Sequence, residues 1–344
     1  MKSFNVGLLG FGTVGSGVWN VLARNQNEIS RRAGSAITIT QVASRVEDGS
    51  FARANEHCKT AKVVDDAMSV IRDPDIHVVC ELIGGTKIAK TLVLEAIHQG
   101  KHVVTANKAL LATHGSEIFE AANKKGVAVA FEAAVAGGIP IIKALREGLS
   151  ANRIEWIAGI INGTSNFILS TMRDTGASFA EVLREAQKRG FAEADPTFDI
   201  EGIDAAHKLT IMASIAFGIP IQFDKVFAEG ISKLHREDIR YAEELGYRIK
   251  LLGMTRRTKN HGIEMRVHPT LIPKRRLIAN VEGAMNAVLV KGDAVGPTLY
   301  YGAGAGSEPT ASAVIADLVD LARLQNADPK NRVPHLAFQV DQIS

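Results

Sequence analysis

Three glycines near the start of the chain have the spacing that a bound dinucleotide requires. The motif is Gly10-Phe11-Gly12-Thr13-Val14-Gly15, and it stands between a strand-like run and a helical pattern. In such a motif the first glycine permits a tight turn and the second lets the backbone approach a pyrophosphate, while the third allows the helix to pack closely on the strand. The helix N-terminus then offers N–H groups to the anion. We therefore predict a dinucleotide site at residues 10–15, with an ordinary glycine turn as the alternative.

The end of the second predicted strand bears on which dinucleotide would bind. An NAD site usually places Asp or Glu there to bond the ribose 2′-hydroxyl. Here the strand runs into Ala43-Ser44-Arg45, and an arginine suits the 2′-phosphate of NADP. We predict NADP as the cofactor. NAD stays possible, because Glu47 and Asp48 follow closely and Arg45 could be a solvated surface residue.

A pair of opposite charges begins an otherwise apolar helical pattern later in the chain. Asp204 and Lys208 are four residues apart, so a helix would place them side by side. The helix is apolar nearly all round from 205 to 217, which is typical of a buried helix. A surface salt bridge is the alternative. Because burial of a charged pair is costly, we predict that this pair faces a cleft and serves function.

An acidic loop comes directly before this helix. Residues 190–199 contain Glu193, Asp195 and Asp199 in a segment broken by glycine and proline. Carboxylates gathered in a loop can hold a substrate amine through charge-assisted hydrogen bonds.

Lys108 follows the fourth predicted strand, in the motif Thr105-Ala106-Asn107-Lys108. Ligands of open α/β sheets bind beyond the carboxyl ends of the strands, so Lys108 is placed where cofactor and substrate would meet. The alternative is an exposed lysine at the start of a helix.

Two segments rich in small residues could also approach ligands. Glu132 and the loop 133–139 offer one carboxylate and several carbonyls, the oxygen donors that hard cations prefer. The glycine run 302–306 precedes Ser307, which we expect to cap a helix that has Pro309 in its first turn. A flexible hinge explains these glycines equally well.

The elements that must position these residues change in character along the chain. Up to about residue 135, short β-branched runs alternate with helical patterns. The predicted strands are 5–9, 38–43, 77–82, 102–105 and 127–132, with helices at 14–24 and 90–99. Near-continuous apolar strands are typical of a parallel sheet covered on both faces. We predict an α/β protein with a Rossmann-type dinucleotide-binding domain at 1–135.

After residue 135 the pattern predicts a second, α+β domain at 136–306 for the substrate and for dimerisation. It includes a helix at 140–147, a strand at 153–161 and a turn at Asn162-Gly163. Antiparallel strands follow at 247–254, 262–268 and 287–291, with one sheet face open to solvent or a second subunit. An apolar helix at 311–324 belongs to a segment, 307–330, that we expect to return to the first domain. Residues 331–344 are predicted to form an extended tail.

Composition excludes several classes of protein. The chain has 344 residues, 46% apolar and 22% charged, which excludes disorder. Forty basic against thirty-seven acidic residues give a net charge of +3, so we expect no nucleic-acid partner. The two cysteines lack the spacing of a disulfide framework or a thiolate zinc site, which favours a reducing compartment. We expect a cytoplasmic protein, because neither a signal peptide nor a membrane span is indicated.

Six segments together resemble homoserine dehydrogenase, over nearly the whole chain. They are GFGTVG at 10–15, TANK at 105–108, EAAVAGGIPII at 132–142, INGTSN at 161–166, GFAEADPTFDIEGIDAAHKL at 190–209 and YYGAGAGSEPTASAV at 300–314. The resemblance implies reversible, NAD(P)-linked interconversion of L-aspartate 4-semialdehyde and L-homoserine, a step toward threonine and methionine. It also implies a homodimer. Many members continue into a regulatory ACT domain, and the sequence as given ends before such a unit, which leaves feedback control open.

The resemblance also implies roles for individual residues. Lys208 matches the proton donor and acceptor on the substrate oxygen, and Lys108 matches a second lysine at the reacting groups. Glu193 and Asp204, with Asp199, match the acids that hold the substrate amino group. A monovalent cation, Na⁺, would be held by Glu132, Val135, Gly137 and Ile139. The cofactor site would comprise Gly10, Phe11, Gly12, Thr13, Val14, Gly15, Arg45, Thr86, Lys108, Gly190 and Gly306.

The expected chemistry is general acid catalysis by lysine. An alkoxide forms when hydride reaches the aldehyde carbon, and two lysines in a dehydrated cleft would lower each other's pKa toward working pH. A phosphorylating semialdehyde dehydrogenase is the enzyme alternative, but Cys58 and Cys80 both lie inside the nucleotide domain. A nucleotide-sensing protein without turnover is the alternative of another class.

Overall fold

Alternation of apolar strands with amphipathic helices builds the first part of the protein. The computed structural model describes residues 3–260 and 262–325. The elements up to residue 130 are β1 (Phe4–Leu9), α1 (Thr13–Arg24), α2 (Gln26–Ala33), β2 (Ile37–Ala43), α3 (Ser50–His57), β3 (Lys62–Val64), α4 (Ala67–Arg72), β4 (Val78–Glu81), α5 (Lys87–His98), β5 (His102–Thr105), α6 (Lys108–Lys125) and β6 (Val129–Ala130).

More helices and an antiparallel sheet make up the second part. Its elements are α7 (Ile141–Lys143), β7 (Ile154–Ile160), α8 (Gly163–Thr175), α9 (Phe179–Lys188), α10 (Thr197–Ile200), α11 (Ile203–Phe217), β8 (Phe227–Ala228), α12 (Arg236–Glu244), β9 (Tyr247–Arg257), β10 (Ile263–Pro273), β11 (Met285–Gly292) and β12 (Gly296–Ala303). The last described helix is α13 (Ser307–Gln325).

The chain divides into two units, which we call unit 1 and unit 2. The described residues of unit 1 are 3–138 and 306–325, and those of unit 2 are 139–260 and 262–305. The corresponding boundaries predicted from the sequence are 135/136 and 306/307. Residues 326–330 and the predicted tail, 331–344, lie outside the described residues.

The sheet of unit 1 is parallel throughout and has the strand order β3-β2-β1-β4-β5-β6. Its order reverses at β1, which pairs with β2 on one side and β4 on the other. A crevice for a ligand forms at such a reversal, beyond the carboxyl ends of the two strands. The predicted Rossmann-type fold is confirmed.

Helix α13 completes the core of unit 1 although it comes last in the sequence. Val314 and Leu318 of α13 are fully buried in the same cluster as Leu8 of β1 and Val18 of α1. Gly17 makes the close approach possible, because a Cβ atom there would lie 2.5 Å from the Ser307 hydroxyl oxygen. Residues far apart in the chain therefore share one core.

The sheet of unit 2 has the order β12-β11-β7-β9-β10-β8. Its neighbours are antiparallel except β10 and β8, which are parallel. This sheet confirms the predicted α+β character of the second domain. Throughout the described part of the chain, no helix combines the length and the apolar character that crossing a bilayer needs.

Some predicted elements were wrong in extent or kind. The strand expected at 127–132 is only β6, because the backbone N–H of Glu132 donates to Asp317 of α13 at 2.8 Å and the chain turns into a 3-10 helix at Glu132–Ala134. The helix expected at 140–147 is α7 followed by a π-helical turn at Ala144–Gly148. The short strands β3 and β8 and the strand β12 were not predicted.

One predicted turn is a helix start in the structure, and one predicted cap is the first residue of its helix. Asn162-Gly163 is not a free turn, because Asn162 caps α8 and Gly163 is its first residue. Ser307 is not a cap, because α13 begins at Ser307 itself. Its hydroxyl donates to the Thr13 carbonyl at 2.7 Å and so fastens α13 to the start of α1.

A buried lysine links the sheet of unit 2 to its helices. Lys250 of β9 is 1% exposed, and its Nζ donates to the Asn166 side-chain oxygen at 3.0 Å and to the Val281 carbonyl. The Glu282 carboxylate lies 3.6 Å away. Burial lowers the pKa of Lys250 to about 8, although the charge of Glu282 acts in the opposite direction.

The shifted pKa of Lys250 predicts how stability depends on pH. Above about pH 8 the folded protein releases a proton that the unfolded chain still holds, so the stabilising contribution of Lys250 rises with pH until the ordinary lysine pKa of about 10.4. We expect the unfolding free energy of the wild type to rise relative to that of Lys250→Met over this range, by at most about 1.4 kcal/mol per pH unit. Urea unfolding at several pH values measures it. A flat or falling difference contradicts the prediction, and Lys291→Met is the exposed control.

Candidate functional site

Each of the three glycines in the first motif is explained by a different structural feature. Gly10 follows β1 with φ of 97°, a conformation that favours glycine. Gly15 lies against the preceding turn, since a Cβ atom there would be 2.1 Å from the Gly10 carbonyl oxygen. Gly12 has an ordinary φ of −85°, and a Cβ atom there would meet no protein atom within 4 Å.

The open space at Gly12 points to something outside the chain. Neither backbone conformation nor a neighbouring atom requires glycine at this position. Gly12 is the N-cap of α1, whose first-turn N–H groups have no carbonyl four residues earlier in the helix. The site therefore fits a phosphate that approaches the backbone and accepts hydrogen bonds from those N–H groups.

A cavity of about 360 Å³ opens beside this turn, within unit 1. Its wall comes from the ends of β1, β2 and β4, and includes Gly10, Phe11, Gly12, Ser44, Arg45, Asp48, Arg53 and Gly84. Arg45 is largely exposed and donates to Asp48 at 2.7 Å. Hydrogen bonds from Ser50, aided by the charge of Arg45, hold the pKa of Asp48 below its usual value. The cavity thus presents two arginines, one of them, Arg53, not anticipated from sequence, next to two acids, Asp48 and Asp65.

A buried carboxylate ties together the loops at the ends of β4 and β5. Glu81 is fully buried and accepts from the backbone N–H groups of Ile83 and Gly84 at 3.0 and 3.1 Å. Its second oxygen accepts from the Thr105 hydroxyl at 2.7 Å. The carboxylate therefore fixes the loop that lines the cavity relative to the end of the neighbouring strand.

This arrangement continues to Lys108. Thr105 accepts from the backbone N–H of Asn107 at 3.0 Å, and the Asn107 side chain donates to the Gly85 carbonyl at 2.7 Å. Asn107 also caps α6 by accepting from Leu110. Lys108 is the first residue of α6 and is half-buried. Its position is thus set by the same contacts that hold the loop after β4.

Three further residues predicted for the cofactor lie at helix ends. Thr86 precedes α5 and makes no capping hydrogen bond through its side chain. Gly190 follows α9 with φ of 75°, and Gly306 precedes α13 with φ of 120°. Thr86 and Gly306 belong to unit 1, whereas Gly190 belongs to unit 2.

The charged pair on α11 is buried in unit 2. The Asp204 and Lys208 side chains are 3% and 11% exposed, and Lys208 Nζ lies 2.7 Å from Asp204 Oδ2. The ammonium also donates to the carbonyl of Ile161 at 2.7 Å, just beyond β7. A surface salt bridge is therefore excluded. The helix itself is buried over nearly all its length, as its apolar sequence predicted.

Asn162 brings two predicted substrate acids together. Its side-chain nitrogen donates to Asp199 Oδ1 at 2.7 Å and to Asp204 Oδ2 at 2.9 Å. Its side-chain oxygen accepts from the backbone N–H of Ser165, and the Ser165 hydroxyl donates to the Asp199 carbonyl at 3.0 Å. Asn162, Asp199, Asp204 and Lys208 thus form one cluster at the junction of β7 and α8. We call these four residues the unit 2 cluster.

Glu193 lies apart from these contacts, in the exposed loop between α9 and α10. The side chain of Gln187 donates to its backbone carbonyl at 3.1 Å. Helix α10 is held against α11 by His207, whose ring packs edge-on against Phe198 and Phe223. His207 therefore has a structural role in packing α10 against α11.

The predicted cation loop is buried and tightly turned. Glu132 is 2% exposed and Val135 is fully buried. Ala136 and Gly137 have φ of 57° and 53°, and a left-handed conformation costs an alanine about 1 to 2 kcal/mol. Ile139 is buried and belongs to unit 2, whereas the other three predicted ligands belong to unit 1. Among the described residues, no three His, Cys, Asp or Glu side chains converge as a metal site.

Neither cysteine is suited to covalent catalysis. Cys58 and Cys80 are buried thiols. Burial raises the pKa of Cys58 to about 12 and that of Cys80 higher still. Neither thiol is therefore suited to act as a nucleophilic thiolate, which argues against the phosphorylating dehydrogenase alternative.

Sequence reasoning missed Asn162, Glu81 and Asn107. Asparagine is a favoured helix cap, so the pattern that follows Asn162 could have indicated a helix start. Glu81 stands at the end of a strand otherwise made of apolar residues, where an acid is unusual. No sequence signal indicates the partners of these residues.

Two family models match the chain. The model of the homoserine dehydrogenase NAD-binding domain matches residues 10–132, and the homoserine dehydrogenase model matches residues 140–319.

Individual relatives agree with the family models. The homoserine dehydrogenase of Pseudomonas aeruginosa is 65% identical over 346 residues, which cover 100% of this chain and 78% of the relative. A crystal structure of a homoserine dehydrogenase from Thiobacillus denitrificans is 68% identical with a TM-score of 0.95, covering 100% of this chain and 79% of that one. A hyperthermophilic archaeal homoserine dehydrogenase in complex with NADPH shares the fold, with 24% identity, a TM-score of 0.77 and coverage of 94% of this chain and 98% of that one.

Alanine substitutions at two glycines should separate ligand binding from folding. We expect Gly12→Ala to leave the melting temperature nearly unchanged, because its Cβ atom meets no protein atom, and to weaken dinucleotide binding at least about tenfold. Gly15→Ala should instead lower the melting temperature, because its Cβ atom would overlap the Gly10 carbonyl. Fluorescence titration with NADPH and thermal unfolding measure the two effects. Unchanged NADPH affinity in Gly12→Ala would contradict the assignment.

Proposed function

The chain belongs to the homoserine dehydrogenase family and is an oxidoreductase that acts on a CH–OH group, and from this premise we propose its reaction and the roles of its residues. The reaction is reversible hydride transfer between L-aspartate 4-semialdehyde and L-homoserine. As the resemblance implies, the enzyme acts in threonine and methionine synthesis and works as a homodimer. The cytoplasmic location is the one expected from the sequence.

The observation that carries this proposal is the buried ion pair of α11. Lys208 and Asp204 lie 2.7 Å apart within unit 2, and Lys208 also donates to Ile161. A buried pair replaced by apolar residues is often as stable or more stable, so stability alone gives little reason to keep one. The need to hold a proton donor in a fixed position is a functional reason to keep the pair.

Proton transfer to and from the substrate oxygen is assigned to Lys208. When bound, the nicotinamide cofactor accepts or supplies the hydride. The Lys208 ammonium donates a proton to the developing alkoxide during aldehyde reduction and, as the neutral amine, accepts it during homoserine oxidation. Its positive charge also stabilises the alkoxide before the proton moves. Lys108, the first residue of α6, is assigned the second cationic role that the resemblance implies.

The acids of unit 2 are assigned to the substrate amino group. Asp204 lies 2.7 Å from Lys208, Asn162 links it to Asp199, and Glu193 lies on the exposed loop ahead of them. Carboxylates form strong charge-assisted hydrogen bonds with an ammonium group. The substrate has such a group, which does not react, so these acids would bind and orient it.

We assign NADP as the preferred cofactor. The cavity of unit 1 fits a dinucleotide, since it adjoins Gly12 and the first turn of α1. Arg45 and Arg53 line it and can meet the charge of a 2′-phosphate. Asp48 lines the same cavity and could bond a ribose hydroxyl, which keeps NAD as a second cofactor.

A monovalent cation, Na⁺, is assigned to the loop that contains Glu132. The buried carboxylate and the turned backbone at Ala136 and Gly137 support an all-oxygen ligand set. Glu132 would supply a carboxylate oxygen and Val135, Gly137 and Ile139 would supply carbonyls. The ion would order this loop rather than take part in proton transfer.

The direct test is a spectrophotometric assay of the purified protein. NADPH oxidation with L-aspartate 4-semialdehyde, and NADP⁺ reduction with L-homoserine, should both be observed. Tight NADPH binding with no turnover of either substrate would favour the nucleotide-sensing alternative and overturn the proposed reaction.

Removal of the proton donor should lower turnover specifically. We expect Lys208→Ala to reduce kcat by at least about 10²-fold, because general acid–base transfer typically contributes 10²- to 10⁴-fold. NADPH affinity should change little, since the cavity of unit 1 is intact. Steady-state kinetics and NADPH titration measure both quantities. Lys250→Met is the matched control, as another buried lysine of unit 2 outside the cluster, and it should keep its kcat. A wild-type kcat in Lys208→Ala would refute the assignment.

The charge at Arg45 should set cofactor preference. Arg45→Ala should weaken NADP binding by up to about fivefold while NAD binding changes little, because an exposed charge pair contributes up to about 1 kcal/mol. Titration of both oxidised cofactors measures the ratio. Equal losses for the two cofactors would show that Arg45 does not contact the 2′-phosphate, and Arg53→Ala tests the neighbouring arginine in the same way.

A further inference from the structure

The junction between β7 and α8 contacts every charged member of the unit 2 cluster. The Ile161 carbonyl accepts from Lys208, and the next side chain, Asn162, donates to both Asp199 and Asp204. Asn162 is 5% exposed. Two consecutive residues therefore hold one ammonium and two carboxylates.

Capping of α8 explains only half of the Asn162 side chain. The oxygen accepts from Ser165 at 2.8 Å, which is the N-cap contact. Serine and aspartate are equally good caps, so the cap alone does not require an amide. The nitrogen is therefore available for a separate purpose, and the cap contact determines that the nitrogen rather than the oxygen faces the acids.

The amide nitrogen lies between two groups of like charge. It donates one N–H to each carboxylate, at 2.7 and 2.9 Å, which stabilises both in their charged form. A lysine or arginine at this position would also bridge the acids but would neutralise them. An asparagine is neutral, so it fixes their spacing and leaves their negative charge for a cationic group.

We propose that Asn162 is a positioning residue that holds Asp199 and Asp204 at the spacing needed to bind the substrate ammonium group and, through Asp204, orients Lys208. This inference rests on the proposed function, since it concerns the same substrate. Asn162 selects for an amine-bearing substrate because it adds hydrogen-bond donors to the two acids without adding positive charge. Ser165 assists by fastening the Asp199 backbone to the same helix end.

Two substitutions that keep the cap separate this role from a structural one. Asn162→Ser retains a capping oxygen but cannot bridge the acids, so KM for homoserine should rise and kcat should fall, each by about tenfold, the loss expected when a hydrogen bond to a charged group is removed. Asn162→Asp also retains the cap and adds a third carboxylate beside Lys208. Because a nearby negative charge favours an ammonium ion, the pH at which homoserine oxidation reaches half its maximal rate should move upward. The pH profile of Asn162→Ser should stay in place.

Asn166 supplies the matched controls. It is a buried asparagine on the same helix, and its side chain contacts Lys250, Val281 and Met285 rather than the acids. Asn166→Ser and Asn166→Asp should lower the melting temperature without moving KM for homoserine or the pH profile. NADPH binding by each variant checks that unit 1 is intact. If Asn162→Asp does not fold, the KM and kcat of Asn162→Ser decide the question.

The outcomes distinguish this inference from the proposed function. A wild-type enzyme that does not oxidise homoserine overturns the proposed function and this inference with it. An active wild type whose Asn162→Ser and Asn162→Asp variants keep its KM, kcat and pH profile overturns the inference alone and makes Asn162 a helix cap. A rise in KM for homoserine together with the pH shift in Asn162→Asp establishes the positioning role.

Discussion

A lysine ammonium on a buried helix needs hydrogen-bond acceptors, because an uncompensated buried charge costs several kcal/mol. In unit 2 this requirement falls on Lys208, and its acceptors are the Asp204 carboxylate and the Ile161 carbonyl. Asp204 in turn needs donors, and one of them is Asn162. Asn162 can reach it only because β7 ends and α8 begins at that point. The strand, the helix start and α11 are thus arranged around a single charge.

Unit 1 buries a carboxylate, which needs hydrogen-bond donors just as the buried ammonium of unit 2 needs acceptors. Glu81 is buried at the end of β4, and its carboxylate accepts from two backbone N–H groups and one hydroxyl. These contacts order the loop that lines the dinucleotide cavity and, through Thr105 and Asn107, the start of α6. In both units a buried charge organises strand ends, and ligand-facing residues follow from that order.

The scaffold could be predicted from the sequence more completely than the site. The parallel sheet, the glycine turn and the Asp204–Lys208 pair depend on local periodicity and spacing, so they could be predicted. Asn162 pairs with an acid 42 residues away, and Glu81 pairs with a hydroxyl 24 residues away. Such pairings have no local pattern. The role of Asn162 was also hard to predict because Gly163 follows it, and Asn-Gly is a common turn signal. The strands β3 and β8 are too short to produce a periodic pattern.

The place of α13 in the chain has a consequence for biosynthesis. Its apolar face fills the core of unit 1 against β1 and α1, yet the described residues of unit 2 are translated between them. Domains generally fold as units while the ribosome elongates the chain, N-terminal segments first. Here the nascent N-terminal sheet lacks the α13 side chains that cover Val18 and Leu8 until residue 325 has left the exit tunnel. The order in which the two units acquire their native cores is therefore opposite to the order in which they begin, and a chaperone would find its exposed apolar surface on the older segment.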